Sequence, residues 1–410
     1  MEAQDLAPRG TPRERLLALE EEIRERVYER EDEIRGFLVG LLARAHVLFL
    51  GPKGAAKSML ARLLCDGILW DNVADGEDPY FRAQLGRDSV LDELFGPVSA
   101  RGYAEDTFRR NTSGMLPEAR VALLEEVYKS NPTVLNRLLT LMNEGLFKNG
   151  TDPEKRVPLR LLVASSNELP DERDDSLEAF HDRFTLRYEV GYLKDPKNVR
   201  RMMERANDAA NPDPPLAAAV TEGDLLKAVG GAAAVDASGV FDAIDSLLAE
   251  LASRDVVPSD RRTASLVSLV KAQAYLAGRR EAHRADLEIL AHALWEDPEE
   301  IPEVKRIVFK AAHPRAARAQ EIFDEVTDSY REALSAAAES AREGTDEAIR
   351  RASARGLDAN AALRNAQRKL FELREDARDA GAGEAAGRID AMLSEIAKMN
   401  AEVTDRCLGI

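Results

Sequence analysis

The sequence is poor in cysteine and in aromatic residues. It contains two cysteines in 410 residues, Cys65 and Cys407, and no metal-ligand spacing surrounds either of them. This excludes a cysteine-based metal centre and is typical of a protein from a reducing compartment. Aromatic residues make up 5% of the chain, whereas hydrophobic residues make up 44%. We therefore expect a core of aliphatic side chains and alanine, with helix as the main secondary structure.

Long apolar segments and an excess of basic residues are also absent. The longest apolar run, at 36–43, is far shorter than a membrane span, and residues 1–11 contain no apolar signal core. We therefore expect no membrane span and place the chain in the cytoplasm. The 57 Lys and Arg residues against 74 Asp and Glu residues give a net charge of -17. Because this charge repels the phosphate backbone, we expect no nucleic acid partner.

Apolar periodicity predicts an α/β core in the first half of the chain. Between residues 11 and 45, apolar residues recur at spacings of three, four and seven, which predicts two amphipathic helices. Uninterrupted apolar runs predict buried strands at 47–50, 121–124 and 159–164. Because helical segments separate these strands, we expect a parallel sheet, which binds its ligands beyond the carboxyl ends of the strands.

The second half of the chain is predicted to be helical. A segment rich in Ala, Gly, Pro and Asp at 207–240 is typical of a linker, and residues 240–293 follow a helical pattern. Near the end, heptad-like apolar stripes separated by Gly356 and by Gly381 and Gly383 predict a three-helix bundle. We therefore expect three parts: an α/β core at 1–205, an all-α domain at 206–312 and a C-terminal helical bundle at 313–410.

The segment after the first predicted strand has the pattern of a phosphate-binding loop. It reads GPKGAAKS at 51–58 and continues into an apolar helix. In such a loop, backbone N–H groups bind the phosphates, Lys57 would reach the terminal phosphates, and the Ser58 hydroxyl would contact Mg²⁺. The general pattern has Gly where this chain has Ala56, and a plain turn with an exposed lysine is the alternative. The candidate nucleotide-binding residues are Gly51, Pro52, Lys53, Gly54, Ala55, Ala56, Lys57, Ser58 and Met59.

Polar residues end the next two predicted strands. Glu125 and Glu126 follow the second strand, and Asn167 follows the third. Beside a bound nucleotide, Glu125 could hold Mg²⁺ together with Ser58, Glu126 could polarise the attacking water, and Asn167 could position that water. Such residues also occur at solvated strand ends and turns. Their order after the phosphate loop is what makes them informative.

Two arginines could stabilise the charge on a transferred phosphoryl group. Arg183 lies in the segment FHDRF at 180–184, and Arg261 lies in SDRR at 259–262, at the start of a predicted helix. An arginine inserted into a neighbouring subunit's site would make hydrolysis depend on assembly. Most arginines are simply solvated, and the sequence leaves open whether either one acts in its own site or in a neighbour's.

In order, the segments GPKGAAKS, TSGMLPEARVALLEEVYKSNPTVLNRLLTLMNEGLFKNG, LRLLVASSNELP, LEAFHDRF and SDRR resemble the MoxR family of AAA+ ATPases, most closely its RavA branch. The resemblance covers about residues 12–310, and Ala before the phosphate-loop lysine is usual in this family. It implies an AAA+ P-loop fold: a parallel sheet flanked by helices, an all-α lid domain and a C-terminal helical bundle. The roles it implies are Walker A for Lys57 and Ser58, Walker B for Glu125 and Glu126, sensor 1 for Asn167, arginine finger for Arg183 and sensor 2 for Arg261.

The resemblance also implies an activity and partners. Family members hydrolyse ATP to ADP with Mg²⁺, typically form ring hexamers, work with a protein that carries a von Willebrand factor A domain, and act as chaperone-like remodellers of client proteins. Better-known RavA proteins contact a lysine decarboxylase through a mostly β-type insertion. Here residues 318–410 read as helix throughout. We therefore do not expect that partner, and we expect the helical stalk to dock another one.

The chain departs from the family pattern in Walker B, where the family has Asp followed by Glu. Here Glu125 precedes Glu126, and the additional methylene moves the carboxylate outward by roughly 1.5 Å. Because Mg²⁺ requires near-octahedral geometry, we expect slower hydrolysis with binding retained. An ATP-binding assembly scaffold with weak hydrolysis is therefore one alternative, and a nucleic-acid motor is another. Within the enzyme class, a Rubisco-activase-like or gas-vesicle relative also remains open.

Overall fold

The computed structural model describes residues 10–73, 76–104, 106–170, 175–207, 214–217, 220–379 and 383–408. Contacts divide the chain into two compact units, Met1–Val304 and Lys305–Ile410. The first unit holds the α/β core and the small helical domain together. The three-part division at 1–205, 206–312 and 313–410 remains a prediction, and residues 208–213, next to its first boundary, lie outside the described residues.

The first unit is built around a five-stranded parallel sheet. Its strands and those of two small two-stranded sheets are β1 (Val47–Leu50), β2 (Ile68–Leu69), β3 (Tyr80–Gln84), β4 (Val121–Glu125), β5 (Leu146–Phe147), β6 (Lys155–Arg156), β7 (Leu161–Ser166), β8 (Leu186–Glu189) and β9 (Val220–Thr221). The main sheet has the order β3-β4-β7-β1-β8. Leu50 pairs with Ser166, and Glu125 pairs with Ser165. The carboxyl ends of β1, β4 and β7 therefore lie at one edge, where parallel sheets bind ligands.

The predicted parallel sheet is confirmed, but two of its strands were not predicted. β1, β4 and β7 correspond to the three apolar runs, and they are buried along almost their whole length, as expected for central parallel strands. β3 and β8 each carry an arginine, Arg82 and Arg187, which interrupts the apolar pattern. Arg187 is nevertheless fully buried. A charged residue inside a strand therefore concealed both elements from the sequence pattern.

Helices flank the sheet, and residues typical of helix starts precede several of them. Thr11 forms a capping box before Pro12, and Asn131 accepts a hydrogen bond from a first-turn N–H before Pro132. The helices of the first unit are α1 (Pro12–Arg26), α2 (Glu31–Ala43), α3 (Lys57–Asp66), α4 (Leu91–Phe95), α5 (Ala100–Ala104), α6 (Pro132–Glu144), α7 (Asp175–His181), α8 (Pro196–Asn207), α9 (Glu222–Ala233), α10 (Phe241–Ala252) and α11 (Asp260–Leu276), and α12 (Ile301–Ala312) contains the boundary between the units.

Part of the segment predicted as a linker at 207–240 is regular structure. It contains β9 and α9, and Gly230 and Gly231 lie within that helix. A Cβ atom on Gly231 would meet the ring of Tyr275, in α11, at 2.5 Å. Gly231 therefore permits close packing of two helices, and does not mark a turn. Residues 208–213 and 218–219 of the predicted linker lie outside the described residues.

The second unit is a bundle of three long helices, as predicted. These are α13 (Pro314–Glu343), α14 (Asp346–Asp379) and α15 (Gly383–Val403), followed by a π-helical turn at Thr404–Leu408. Gly344, with φ 62°, ends α13 in a left-handed cap. The prediction that Gly356 separates helices was wrong, because this residue lies inside α14; Gly381 lies outside the described residues. The predicted apolar stripes form the core of the bundle, which includes Leu363, Leu370, Ile389 and Ile396.

The described part of the chain bears on the expected absence of a membrane span and on the state of the two cysteines. None of its helices has the length and apolar character needed to cross a membrane. Cys65 and Cys407 are both free and buried. Burial raises the pKa of the Cys65 thiol to about 12, so this side chain acts as a small apolar group in the core.

Candidate functional site

The loop between β1 and α3 has a backbone suited to holding an anion. Gly51 has φ 146°, and a Cβ atom there would meet the Val190 carbonyl oxygen at 2.0 Å; Gly54 has φ 80°. Ala56 has φ 64°, a left-handed conformation that costs a non-glycine residue about 1–2 kcal/mol. The general pattern places Gly at this position for that reason. α3 then begins without a side-chain cap, so its N-terminal N–H groups face the loop.

Lys57, the first residue of α3, is buried against its own loop. Its Nζ atom donates a hydrogen bond to the Gly51 carbonyl oxygen at 2.6 Å. Burial lowers the pKa of Lys57, while Glu126 and Glu125 act in the opposite direction. The ammonium group is therefore held on the concave side of the loop. There, a bound anion would replace the Gly51 carbonyl oxygen as its partner.

The two predicted metal ligands are in contact. Ser58 Oγ donates a hydrogen bond to Glu125 Oε1 at 2.9 Å. The other carboxylate oxygen of Glu125 accepts from Arg82 Nε at 2.7 Å and pairs with Arg82 Nη2 at 2.6 Å. The described residues contain no group of three or more His, Cys, Asp or Glu side chains able to hold a metal. A cation here would therefore need ligands from water or a nucleotide, which is typical of Mg²⁺.

Glu126 lies next to this pair and is enclosed by two lysines. Lys53 Nζ lies 3.3 Å from its Oε1, and Lys129 Nζ lies 2.9 Å from its Oε2. Lys129 also donates to Asn167 Oδ1 at 3.4 Å, so the third predicted strand-end residue belongs to the same cluster. Burial would raise the pKa of Glu126, but hydrogen bonds from Lys129 and Lys53 outweigh this effect and lower it. Glu126 also has φ 56°, and such backbone strain is common at functional sites.

Arg261 and Asp182, the residue before Arg183, belong to a second cluster. Asp182 accepts hydrogen bonds from Arg261 Nη1 at 2.8 Å and from Ser259 Oγ at 2.7 Å. Arg261 is exposed, whereas the next residue, Arg262, is 1% exposed. The Nε atom of Arg183 is buried and has no hydrogen-bond partner within the part of the chain that is described. The predicted site residues therefore form two groups, one at the sheet edge and one around Asp182.

A mostly apolar cavity of about 470 Å³ lies beside the phosphate loop. This volume is within the usual range for small-molecule pockets. Tyr192 closes one side, and its hydroxyl donates to the Lys53 carbonyl oxygen at 3.2 Å. The cavity fits a flat heterocycle whose phosphates would occupy the loop. Its lining includes Val27, Tyr28, Gly54, Ala55, Ala56, Met59, Tyr192, Leu193, Val199 and Met202.

A second cavity, of about 380 Å³, lies away from this chemistry. Its lining includes Pro79 and Arg120, which precede β3 and β4, so it is at the amino ends of these strands. Parallel sheets bind ligands at the opposite edge. We therefore place the candidate nucleotide site at the first cavity.

Several residues of the site were not predicted from the sequence. Arg82 and Lys129 bind the two carboxylates, Asp182 binds Arg261, and Tyr28 and Tyr192 line the apolar cavity. Lys129 could have been noticed, because it lies three residues after Glu126, but a single lysine after an acidic pair is common. The tyrosines come from segments distant from the loop, and nothing in their local sequence marks them.

Together, the parallel sheet, the phosphate loop after β1, the acidic pair at the carboxyl end of β4 and the helical lid define a P-loop protein of the AAA+ class. The sequence profile of the MoxR domain of MoxR–vWA–beta-propeller ternary systems matches residues 14–219, and the profile of the AAA lid domain matches residues 239–308. The chain belongs to the MoxR family of AAA+ ATPases.

Several known proteins are similar to this chain. An uncharacterised protein from Methanocaldococcus jannaschii is 36% identical over 296 residues, which cover 72% of this chain and 74% of that protein. The chaperone protein ClpB from Clostridium perfringens is 28% identical over 177 residues, 38% of this chain and 19% of ClpB. The solved structure of a candidate ATPase from Cytophaga hutchinsonii aligns with a TM-score of 0.56, 20% identity and coverage of 73% of this chain and 94% of that one. This last likeness concerns the fold alone.

Proposed function

We propose that this chain hydrolyses ATP in the presence of Mg²⁺ and, as a ring oligomer, uses the reaction to remodel or assemble partner proteins. Within the MoxR family we propose the RavA-like branch, and a hexamer as the ring. The observation that carries the proposal is the contact between Ser58 and Glu125 at 2.9 Å, at the sheet edge that also holds Lys57 and Glu126. This is the set of groups that phosphoryl transfer from a nucleotide requires.

In the proposed site, each group has a distinct task. Lys57 and the N-terminus of α3 bind the phosphates, and Ser58 and Glu125 hold the cation, which would neutralise charge on the phosphate oxygens. Glu126 accepts the proton of the attacking water, and Asn167 orients that water. Both oxygens of Glu126 are paired with lysines in this structure. We therefore propose that Lys53 and Lys129 turn toward the phosphates when ATP binds, which frees Glu126 to act as a base.

The same contacts favour one alternative function, an ATP-binding scaffold with weak hydrolysis. Glu125 is shared between Ser58 and Arg82, and Glu126 is shared between two lysines. If these pairs persist with ATP bound, the chain would bind the nucleotide and assemble but turn it over slowly. Turnover measurements on the natural chain separate the two functions.

The first test concerns nucleotide binding. Replacing Lys57 with methionine should weaken ATP binding about 100-fold, because the buried ammonium that would contact the phosphates is lost. Methionine has a similar volume, and it removes a buried charge, so folding should be preserved. Calorimetric titration with ATP gives the affinity, and circular dichroism gives the fold.

Lys398→Met is the control for this test. Lys398 lies on α15 in the second unit, and its side chain is 73% exposed. We expect its replacement to change the ATP affinity less than about threefold, because an exposed ion pair contributes little. Equal losses of affinity in both variants would contradict the assigned role of Lys57.

A second test concerns the departure in Walker B. Glu125→Asp should raise the turnover rate several-fold at saturating ATP, because the shorter side chain restores the family's carboxylate position relative to the cation. The measurement is steady-state phosphate release as a function of Mg²⁺ concentration. A Glu125→Asp variant that is no faster than the natural chain would show that Glu125 does not limit hydrolysis.

We propose a von Willebrand factor A domain protein as the partner, and the second unit as its docking element. The name of the matching family refers to MoxR–vWA–beta-propeller systems, which supports such a partner here. The second unit has a hydrophobic core of its own, and Phe371 and Leu357 on α14 are exposed.

Removal of residues 318–410 tests this docking role. The truncated chain should lose binding to the von Willebrand factor A domain protein and keep its ATP affinity, because the nucleotide site lies within the first unit. Binding can be followed by size-exclusion chromatography with the partner. A truncated chain that still co-elutes with that protein would place the docking surface elsewhere.

A further inference from the structure

A group of polar residues, several of them buried, joins the two clusters of candidate site residues, and the proposed reaction gives these residues no role. Tyr128 lies two residues after Glu126, and His181 lies two residues before Arg183. Both are buried, and so are Arg187 and Arg262, which are 0% and 1% exposed. Fully buried arginines are rare because the loss of hydration must be balanced by hydrogen bonds.

The first half of the group is a chain of directed hydrogen bonds. The Tyr128 hydroxyl is hydrogen-bonded to His181 Nδ1, and His181 Nε2 lies 3.3 Å from Glu296 Oε2. Burial lowers the pKa of His181 to about 4, so the imidazole is neutral at neutral pH. A carboxylate only accepts hydrogen bonds, so Nε2 carries the proton and Nδ1 accepts from Tyr128. His181 therefore links Tyr128, in the turn after Glu126, to Glu296.

Arg187 fixes the turn that carries Arg183. It donates to the carbonyl oxygens of His181 at 3.0 Å and Phe184 at 3.2 Å, which lie on either side of Arg183. It also donates to Glu296 Oε2 at 2.7 Å. The position of this turn consequently depends on Glu296.

The group continues from Glu296 to Arg261. Arg262 pairs with Glu296 Oε1 and donates to Asp182 Oδ1 at 3.3 Å, and Asp182 in turn accepts from Arg261. Three arginines, Arg187, Arg261 and Arg262, thus face the two carboxylates of Glu296 and Asp182. One continuous set of contacts runs from the loop of Glu126, past the turn of Arg183, to Arg261.

Resting on the proposed function, we propose that the Tyr128–His181–Glu296 chain makes the nucleotide state of one subunit control the arginine that this subunit presents to its neighbour. Without ATP, Lys129 and Lys53 hold the turn that follows Glu126. The hydrogen bonds of Tyr128, His181 and Glu296 then keep the turn of Arg183 away from the neighbouring subunit's site. When ATP draws the lysines away, the turn at Val127–Lys129 moves, and Tyr128 carries the movement to His181 and Arg183. Tyr128, His181 and Glu296 are positioning residues in this scheme, because they act through Glu126 and Arg183.

The test mixes full-length natural subunits with Lys57→Met subunits, which should remain empty, and follows ATP hydrolysis against the fraction of Lys57→Met. At equal amounts, the rate should fall to about one quarter of the unmixed rate, because half of the subunits are inactive and half of the others have an empty neighbour that withholds Arg183. If the empty subunits also carry Tyr128→Phe, the hydrogen bond between Tyr128 and His181 is lost, and Arg183 is no longer withheld. The rate should then be about one half of the unmixed rate.

Tyr188→Phe in the empty subunits is the matched control. The Tyr188 hydroxyl is buried and has no hydrogen-bond partner among the described residues, so its removal should leave the rate at about one quarter. Thermal unfolding should show that Tyr128→Phe lowers the melting temperature by only a few degrees, because a single hydrogen bond is lost. This inference would be overturned if the mixing curves with and without Tyr128→Phe were identical. It would also be overturned if the rate with Lys57→Met alone fell in proportion to the fraction of natural subunits. Either result would leave the ATPase proposal intact. Absence of hydrolysis by the unmixed natural chain would overturn both.

Discussion

Glu126→Gln is expected to lower the rate of ATP hydrolysis about 100- to 10,000-fold while leaving ATP affinity nearly unchanged. Glutamine has almost the same size and still accepts a hydrogen bond from one of the two lysines through its amide oxygen, so the loop should keep most of its shape. It cannot accept a proton from water, and this is the step that the variant removes. The measurement pairs single-turnover hydrolysis with calorimetric ATP binding.

Glu189→Gln is the control for this substitution. Glu189 is exposed at the end of β8, which pairs with β1, so it carries the same charge at the same edge of the sheet. Its replacement should leave hydrolysis within about twofold of the natural rate, because a distant exposed charge is screened. A Glu126→Gln variant that hydrolyses ATP as fast as Glu189→Gln would show that another group activates the water.

Arg183→Ala is expected to lower the turnover rate about 1,000-fold, with ATP binding by the isolated subunit unchanged, because an arginine finger acts mainly on the transition state. Arg331→Ala serves as the control, since Arg331 is 72% exposed in the second unit. The measurement is turnover at saturating ATP and high protein concentration. A loss in both variants would indicate a general effect of removing surface charge.

Mixing two inactive variants shows where Arg183 acts. Arg183→Ala subunits keep Glu126, and Glu126→Gln subunits bind ATP and keep Arg183. If the arginine enters the neighbour's site, the mixture should regain activity, because Glu126→Gln subunits supply the arginine to Arg183→Ala subunits. A mixture that stays inactive would indicate that Arg183 acts within its own subunit.

The phosphate loop and the central strands could be predicted because local sequence determines them. β1, β4 and β7 are continuous apolar runs, and such runs identify strands that are buried on both faces. The loop's glycines are required by its backbone angles, and Ala56 shows that a left-handed position can hold a residue other than glycine. Local rules failed at Gly356, since a single glycine inside a long amphipathic helix does not end it.

The contacts between distant segments could not be predicted. Arg82 reaches Glu125 only because β3 lies beside β4, and Arg187 is buried only because carbonyl groups and Glu296 surround it. The sequence marks these residues as ordinary charged positions. The apolar cavity likewise combines the end of α1, the phosphate loop and α8, three segments that lie between residues 26 and 206 of the chain.

The most direct test of the central claim is phosphate release from ATP by the purified full-length chain, measured with Mg²⁺ or with EDTA over a wide range of protein concentration. We predict turnover that requires Mg²⁺ and a specific activity that increases with protein concentration as subunits assemble. Tight ATP binding without phosphate release at any concentration, with the von Willebrand factor A domain partner also present, would contradict the ATPase assignment and favour the scaffold.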